Sequence, residues 1–155
     1  VITLEINLDS IRNFVQLRKN IGTSGQPTSE QFRLIAEAGY GHVVNLATPD
    51  HPDSIPNEGQ MITQLNMSYT HIPVPFDAPS PKHVKHFCGI MSILSTEQVF
   101  VHCIMNYRVS AFMFHFLNKI EGNSEAESKS EIFDWWSPDT VWKDLLKWTS
   151  TKIGL

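Results

Sequence analysis

Short apolar runs alternate along this chain with longer segments in which apolar residues recur every three or four positions. The runs predict β-strands, and the recurring positions predict α-helices. Strands are predicted at 21–24, 42–47, 69–74 and 99–102. Helices are predicted at 28–38, 57–67, 80–95 and 109–120. Strands that alternate with helices indicate an α/β fold, with a central, mostly parallel sheet and helices on both of its faces.

Local signals fix the bounds of two of these helices. Thr28 opens a capping box, and Gly39 follows the last apolar position of the same helix. Ser80 is an N-cap followed by Pro81 at the first helical position. The segment 109–120 is apolar nearly all round, which predicts a buried central helix. These signals support the alternating pattern of strands and helices.

The C-terminal part of the chain has a different pattern. Residues 122–129 are polar, which predicts a mobile link. A last helix is predicted at 138–152, and its apolar positions include Trp142 and Trp148. Packing of a terminal helix onto the domain is the simplest use of such tryptophans. We therefore expect residues 1–155 to form a single domain with this Trp-rich helix packed on it.

Composition narrows the classes of function. The 155 residues are 41% hydrophobic and 18% charged, with a formal net charge of −4, which is typical of one globular domain. No basic stripe or apolar run of ~20 residues is present, so neither nucleic-acid binding nor a membrane span is expected. The chain begins at Val1, which leads us to expect removal of a leader or tag and leaves cytoplasm and periplasm both open. Its two cysteines, Cys88 and Cys103, are too few for a disulfide framework.

One segment combines several groups that favour an anion. Cys103 directly follows the strand 99–102. Arg108 directly precedes the next predicted helix, and Ser110 lies in its first turn. A helix N-terminus offers unpaired N–H groups and a partial positive charge. The planar guanidinium of arginine matches two oxygens of a phosphate or sulfate. Both effects favour the thiolate form of Cys103, so this segment predicts a nucleophilic sulfur next to a bound oxyanion.

These residues resemble the cysteine-dependent phosphatases, the superfamily of tyrosine and dual-specificity phosphatases. Its signature is His-Cys, five residues, Arg, then Ser or Thr, and the matching positions here are His102, Cys103, Arg108 and Ser110. The segment Ile21-Gly-Thr-Ser-Gly-Gln-Pro-Thr-Ser-Glu-Gln-Phe32, with 38–40 and 43–46, also resembles a family of small bacterial phosphatase-like domains. Some members of that family are fused to metallo-β-lactamase-like hydrolases. The likeness runs from about residue 13 to about residue 117.

The loop after the cysteine departs from the superfamily pattern. Only four residues separate Cys103 from Arg108, and none is a glycine; they are Ile104, Met105, Asn106 and Tyr107. The bacterial family often has this shorter spacing. Asn106 is the loop residue best able to take the left-handed conformation that glycine would otherwise adopt. The resemblance implies that the loop and Arg108 hold phosphate or sulfate.

The resemblance also implies roles for the residues around the loop. Asp77 lies on a loop where dual-specificity phosphatases place their general acid, and Asp50 and Asp53 are the substitutes. His102 is expected to support the loop through hydrogen bonds, and Ser110 to donate to the sulfur. No cofactor is expected. His83 and His86 lie three apart on a helix, but no third ligand follows them, so no metal is expected either.

Three functions remain open. The first is hydrolysis of a phosphoric monoester, in a phosphorylated protein or a small phosphate ester, through a phosphocysteine on Cys103. The second is a rhodanese-like sulfurtransferase, which would hold a persulfide on the same cysteine and would not need Asp77. The third is an oxyanion-binding module without catalysis.

Overall fold

The computed structural model describes residues 6–155 and contains one five-stranded sheet. The strands are β1 (Val15–Arg18), β2 (Ile21–Ser24), β3 (His42–Asn45), β4 (Ser68–His71) and β5 (Val99–His102). Their order across the sheet is β1-β2-β5-β3-β4. The edge strand β1 is antiparallel to β2, and the other pairs are parallel. The α/β architecture expected from the alternating pattern is therefore confirmed.

Helices connect the parallel strands and form the C-terminal part of the chain. They are α1 (Ser29–Glu37), α2 (Glu58–Gln64), α3 (Pro81–Ile93), α4 (Tyr107–His115), α5 (Glu125–Ser128), α6 (Thr140–Leu146) and α7 (Ser150–Ile153). A π-helical turn, Phe116–Ile120, continues α4, and a 3₁₀ turn, Glu131–Asp134, precedes α6. None of the helices in residues 6–155 is long and apolar enough to cross a membrane.

The central strand β5 divides the core into two layers. Its side chains alternate between the faces of the sheet, as in any strand. Phe100 packs with Phe32 of α1 on one face, and Val101 packs with Phe112 of α4 on the other. All four residues of β5 are buried, which explains why the strand is a continuous apolar run up to His102.

The register of the sheet brings three chain segments to one level. His102 at the end of β5 pairs with Ser24 at the end of β2 and with Asn45 at the end of β3. The residues that follow these three strands therefore meet beyond the same edge of the sheet. Ligands of parallel α/β sheets bind in this position.

The sheet contains one strand that the sequence did not predict. Strand β1 was not predicted, because its four residues, Val-Gln-Leu-Arg, are too short a run to separate from a loop. Within residues 6–155 it is an edge strand, and its pairing partner there is β2. Strands β3 and β4 end before the predicted bounds, although Leu46 still donates a backbone hydrogen bond to His102 and Val74 to Leu46.

Two predictions for the C-terminal part were wrong. The segment 122–129 is not a mobile link, because Ser124 caps the short helix α5 and Ser128 is buried. The single helix predicted at 138–152 is two helices. The side chain of Thr149 accepts a hydrogen bond from the backbone N–H of Lys152, and this second N-cap starts α7 after a break at 147–149.

Candidate active site

The loop that follows β5 joins the central strand to α4. Cys103 is its first residue, and Arg108 lies in the first turn of α4. Asn106 takes the left-handed conformation, with φ of 68°, and is the N-cap residue of α4. The sequence prediction for Asn106 is thus confirmed. One asparagine provides the backbone turn in a loop that contains no glycine.

The side chain of Asn106 fixes the loop to the start of the sheet. Its amide donates to the carbonyl oxygen of Asn13 at 2.8 Å and to the hydroxyl of Thr23 at 3.1 Å. Its oxygen accepts a hydrogen bond from the hydroxyl of Ser110 at 3.3 Å, and Ser130 donates to Ser110 at 3.1 Å. The hydroxyl proton of Ser110 is therefore directed at Asn106. In this structure it is not directed at the sulfur of Cys103.

The segment Ser24-Gly25-Gln26 forms the support behind the loop. The carbonyl oxygen of Ser24 accepts from the backbone N–H of Cys103 at 3.3 Å, and the backbone N–H of Gln26 donates to Ile104 at 3.0 Å. A Cβ on Gly25 would lie 2.3 Å from the carbonyl oxygen of Ile104. Only glycine allows this close approach of two backbones. This contact gives a structural reason for a motif to which sequence analysis assigned no role.

The loop borders a cavity of about 410 Å³ at the carboxyl edge of the sheet. Its lining residues are Thr48, His51, Phe76, Cys103, Ile104, Met105, Tyr107 and Arg108. The cavity therefore brings together the candidate nucleophile, the arginine and three of the four intervening loop residues. Thr48 and His51, on the loop after β3, were not expected at the site, because nothing in their sequence positions distinguishes them from other loop residues.

Arg108 is held by contacts with the segment that follows β4. Its side chain is only 5% exposed, and Nη1 donates to the carbonyl oxygen of Val74 at 2.8 Å. The guanidinium carbon lies 5.7 Å from the centre of the Phe76 ring, a cation–π distance. A guanidinium has five N–H donors, so donors remain after the bond to Val74. The shorter spacing from Cys103 thus still leaves Arg108 at the cavity.

The backbone N–H groups of the loop supply further donors. Among residues 6–155, no acceptor forms a hydrogen bond with the backbone N–H of Ile104 or Met105. The ring of Tyr107 stacks on Trp136 with centroids 4.6 Å apart and parallel planes, so it is held on the side of the C-terminal segment. Arg108 and the loop amides together are a donor set suited to an oxyanion.

The candidate acid is not among the residues that line the cavity. Asp77 is exposed, whereas its neighbour Phe76 lines the cavity. The substitutes are also exposed: Asp50 lies in a turn, and Asp53 forms an ion pair with Arg12 at 3.1 Å. The structure thus brings Cys103 and Arg108 together, and it leaves Asp77 one residue beyond the lining.

A buried acid that sequence analysis missed lies behind the loop. The imidazole of His102 is fully buried, with Nδ1 donating to the carbonyl oxygen of Cys103 at 3.0 Å and Nε2 located 2.9 Å from a carboxylate oxygen of Glu58. Glu58 is the first residue of α2, where an acidic residue is an ordinary helix-start residue. Its sequence position therefore gave no signal of its contact with His102.

Two other candidate groups have structural roles. Cys88 is a buried residue of α3, and burial raises the pKa of its thiol to about 12, which keeps it protonated and unreactive. His83 belongs to a capping box, in which its Nδ1 accepts from the backbone N–H of Ser80 at 3.1 Å. In the described part of the chain, no three His, Cys, Asp or Glu side chains cluster as a metal site requires.

The geometry agrees with a family that the sequence matches directly. Residues 12–134 match the family described as "DSP-PTPase phosphatase fused to NAD+ Kinase". The chain belongs to this family. The expected resemblance to the tyrosine and dual-specificity phosphatases is therefore confirmed, although the matching description names NAD+ kinase as the fusion partner. No curated protein matches the chain.

Solved structures agree with this assignment. A DUF442 protein from Shewanella putrefaciens CN-32, described as a candidate phosphatase, is 33% identical, with a TM-score of 0.84 over 94% of this chain and 96% of that chain. The PP-IP phosphatase SIW14 from S. cerevisiae, in complex with citrate, is 13% identical, with a TM-score of 0.73 over 93% and 90%. A cysteine-to-serine variant of TpbA from P. aeruginosa, in complex with pTyr, is 14% identical, with a TM-score of 0.63 over 81% and 75%. The last two show a shared fold.

Proposed function

We propose that this protein hydrolyses phosphoric monoesters, with Cys103 as the nucleophile. The observation that carries the proposal is the shared cavity of Cys103 and Arg108, which a strand end and a helix start hold at the carboxyl edge of the sheet. Membership of a phosphatase family supports the same chemistry. Two structural relatives that bind pTyr or citrate support an anionic substrate.

The reaction has two steps. The thiolate of Cys103 attacks phosphorus, an S–P bond forms, and the P–O bond to the alcohol breaks as Asp77 transfers a proton to the leaving oxygen. Water then attacks phosphorus as the carboxylate of Asp77 takes its proton, the S–P bond breaks, and Cys103 leaves as a thiolate while phosphate is released, which restores the acid form of Asp77. Throughout both steps Arg108 and the backbone N–H groups of 104 and 105 bind the phosphoryl oxygens, and donors fixed by the fold need no reorganisation as the reaction proceeds.

Ser110 contributes in this scheme through Asn106. Its hydroxyl supports the side chain that fixes the loop. Donation to the departing sulfur would require the hydroxyl to rotate away from Asn106. The geometry therefore favours a supporting role for Ser110 before the substrate binds.

Parallel assays of one protein preparation test the proposal. We expect hydrolysis of para-nitrophenyl phosphate, loss of that hydrolysis in Cys103→Ser, and its retention in Cys88→Ser, the matched thiol-to-hydroxyl change in the core. After acid quenching, mass spectrometry should detect a phosphorylated form of the wild-type protein and no phosphorylated form of Cys103→Ser. Transfer of sulfur from thiosulfate to cyanide without phosphate release would instead establish a sulfurtransferase. Phosphate binding without either turnover would establish a binding module.

A further inference from the structure

Glu58 is a buried acid with an unusually complete set of donors. The residue is 5% exposed. Its Oε1 accepts from the amide of Gln26 at 2.8 Å, and its Oε2 accepts from Asn45 at 3.0 Å and from the hydroxyl of Tyr69 at 2.8 Å. Burial opposes ionisation of Glu58, but the adjoining His102 and the hydrogen bonds from Gln26 and Tyr69 outweigh it, so the pKa of Glu58 is below its usual value. Glu58 is therefore a carboxylate.

The partners of His102 then decide the protonation of its ring. Nδ1 lies 3.0 Å from the carbonyl oxygen of Cys103, and a carbonyl oxygen only accepts, so Nδ1 carries a hydrogen. Nε2 lies 2.9 Å from Oε2 of Glu58, and an ionised carboxylate also only accepts, so Nε2 carries a hydrogen too. A ring with hydrogens on both nitrogens is an imidazolium. The buried pair is therefore ionic, with its positive member against the peptide of Cys103.

We infer that Glu58 is a positioning residue, which keeps His102 as an imidazolium behind the cysteine loop and so favours the thiolate of Cys103. This inference rests on the proposed function of Cys103 as a nucleophile. The positive ring contacts the peptide of Cys103, whereas the negative carboxylate lies on the opposite side of the ring. The pair thus presents its positive end to the site where the thiolate and the bound phosphate both carry negative charge.

Glu58 also reaches the loop by a second route. Gln26 donates to Glu58 through its side chain and to the carbonyl oxygen of Ile104 through its backbone N–H at 3.0 Å. Removal of the charge of Glu58 would therefore affect the protonation of His102, whereas removal of its hydrogen bonds would also loosen the loop. An experiment must separate these two effects.

Few other groups face this pair. Phe32 of α1 packs edge-on to the His102 ring, with centroids 5.6 Å apart. Asn45 of β3 and Gln26 after β2 are uncharged amides. Tyr69 of β4 donates to Glu58, and burial together with that carboxylate raises the pKa of Tyr69 well above its usual range. On the side of the cavity, the titratable or charged side chains beside Cys103 are those of His51 and Arg108.

The test is a titration of the thiol, which does not depend on turnover. In a Cys88→Ser background, thiolate formation by Cys103 is followed through absorbance at 240 nm between pH 4 and pH 10. Glu58→Gln keeps the size of the side chain and removes its charge. We expect the midpoint of thiolate formation to move upward by about one pH unit in Glu58→Gln, the lower end of the range for loss of a nearby opposite charge. Tyr69→Phe, which removes one donor and keeps the carboxylate, is the matched control and should move the midpoint much less.

A second measurement, made on the wild-type protein, tests the inference even if Glu58→Gln does not fold. Nitrogen-15 NMR of the wild-type protein should show His102 protonated on both ring nitrogens at pH 8, where a free histidine is neutral. An unchanged thiolate midpoint in folded Glu58→Gln, or a neutral His102 ring at pH 8 in the wild type, would overturn the inference. Absence of phosphatase activity together with the expected midpoint shift would overturn the proposed function alone.

Discussion

The indole nitrogen of Trp142 donates a hydrogen bond of 2.8 Å to the backbone carbonyl oxygen of Phe76. The two rings also contact each other, with centroids 5.3 Å apart. Trp142 is fully buried in α6, whereas Phe76 lines the cavity beside Cys103 and precedes Asp77. The C-terminal helix thus holds the loop on which the candidate acid lies.

This contact predicts that Trp142→Phe weakens catalysis without removing any group from the cavity. The lost hydrogen bond leaves the Phe76 carbonyl unpaired, so the free energy of unfolding should fall by about 1–3 kcal/mol. The kcat for an alkyl phosphate should fall because the loop that carries Asp77 is less well held, and this is measured in steady-state assays beside denaturant unfolding. Trp148→Phe is the control on the same C-terminal segment. Equal effects on kcat from both variants would contradict a specific role for Trp142.

Asp77 itself provides the next prediction. Asp77→Asn should lower kcat for an alkyl phosphate by roughly 10²–10⁴, the usual contribution of one acid or base. The loss should be smaller for para-nitrophenyl phosphate, because its leaving group departs without a proton. Asp50→Asn and Asp53→Asn are the controls, since both acids lie on the other loop beside the cavity. If one of these controls shows the leaving-group dependence and Asp77→Asn does not, the acid has been assigned to the wrong loop.

The close approach of Gly25 to the cysteine loop gives a prediction about the shape of that loop. In Gly25→Ala the new Cβ would lie 2.3 Å from the carbonyl oxygen of Ile104, so the loop backbone must move. We expect kcat/KM to fall at least tenfold and the protein to lose about 1–3 kcal/mol of stability through overpacking. Gly89→Ala is the matched control, because a Cβ there meets nothing within 4 Å and alanine favours the helix. Full activity in Gly25→Ala would show that the loop tolerates displacement.

The sequence predicted most accurately those structural features that depend on one short segment. The apolar run of β5, the cysteine at its end and the left-handed Asn106 depend on a few consecutive residues, and all three are as expected. The capping boxes at Thr28 and Ser80 begin their helices at the predicted positions.

The sequence did not predict the contacts that join residues from several distant segments. The carboxylate of Glu58 is contacted from Gln26, Asn45, Tyr69 and His102, which come from four different parts of the chain. Each of these is an ordinary polar residue at its own position, and only the pairing of the parallel strands brings them together. The break between α6 and α7 was missed for a related reason, because the apolar pattern continues through it while Thr149 starts a new helix.

His115 gives a prediction about stability and pH. It lies at the end of α4, fully buried, and its Nε2 donates to the carbonyl oxygen of Leu145 at 2.7 Å, while Nδ1 has no hydrogen-bond partner in residues 6–155. Burial lowers the pKa of His115 to about 4, against about 6.5 in the unfolded chain. Below pH 6.5 the unfolded chain therefore binds a proton that the folded protein does not bind, and this continues down to the folded pKa.

His115 should thus make the protein less stable at pH 5 than at pH 7, by about 2 kcal/mol at 1.4 kcal/mol per pH unit below 6.5. Burial also lowers the pKa values of the partly buried His42 and His83, which add to the same slope. Glu58 adds little in this window, because its pKa is lowered from about 4.5 and its contribution is lost only at more acid pH. Chemical denaturation at the two pH values measures the difference. In His115→Gln the difference should shrink, whereas the exposed His86→Gln should retain it, and an unchanged difference in His115→Gln would show that the buried ring is not its source.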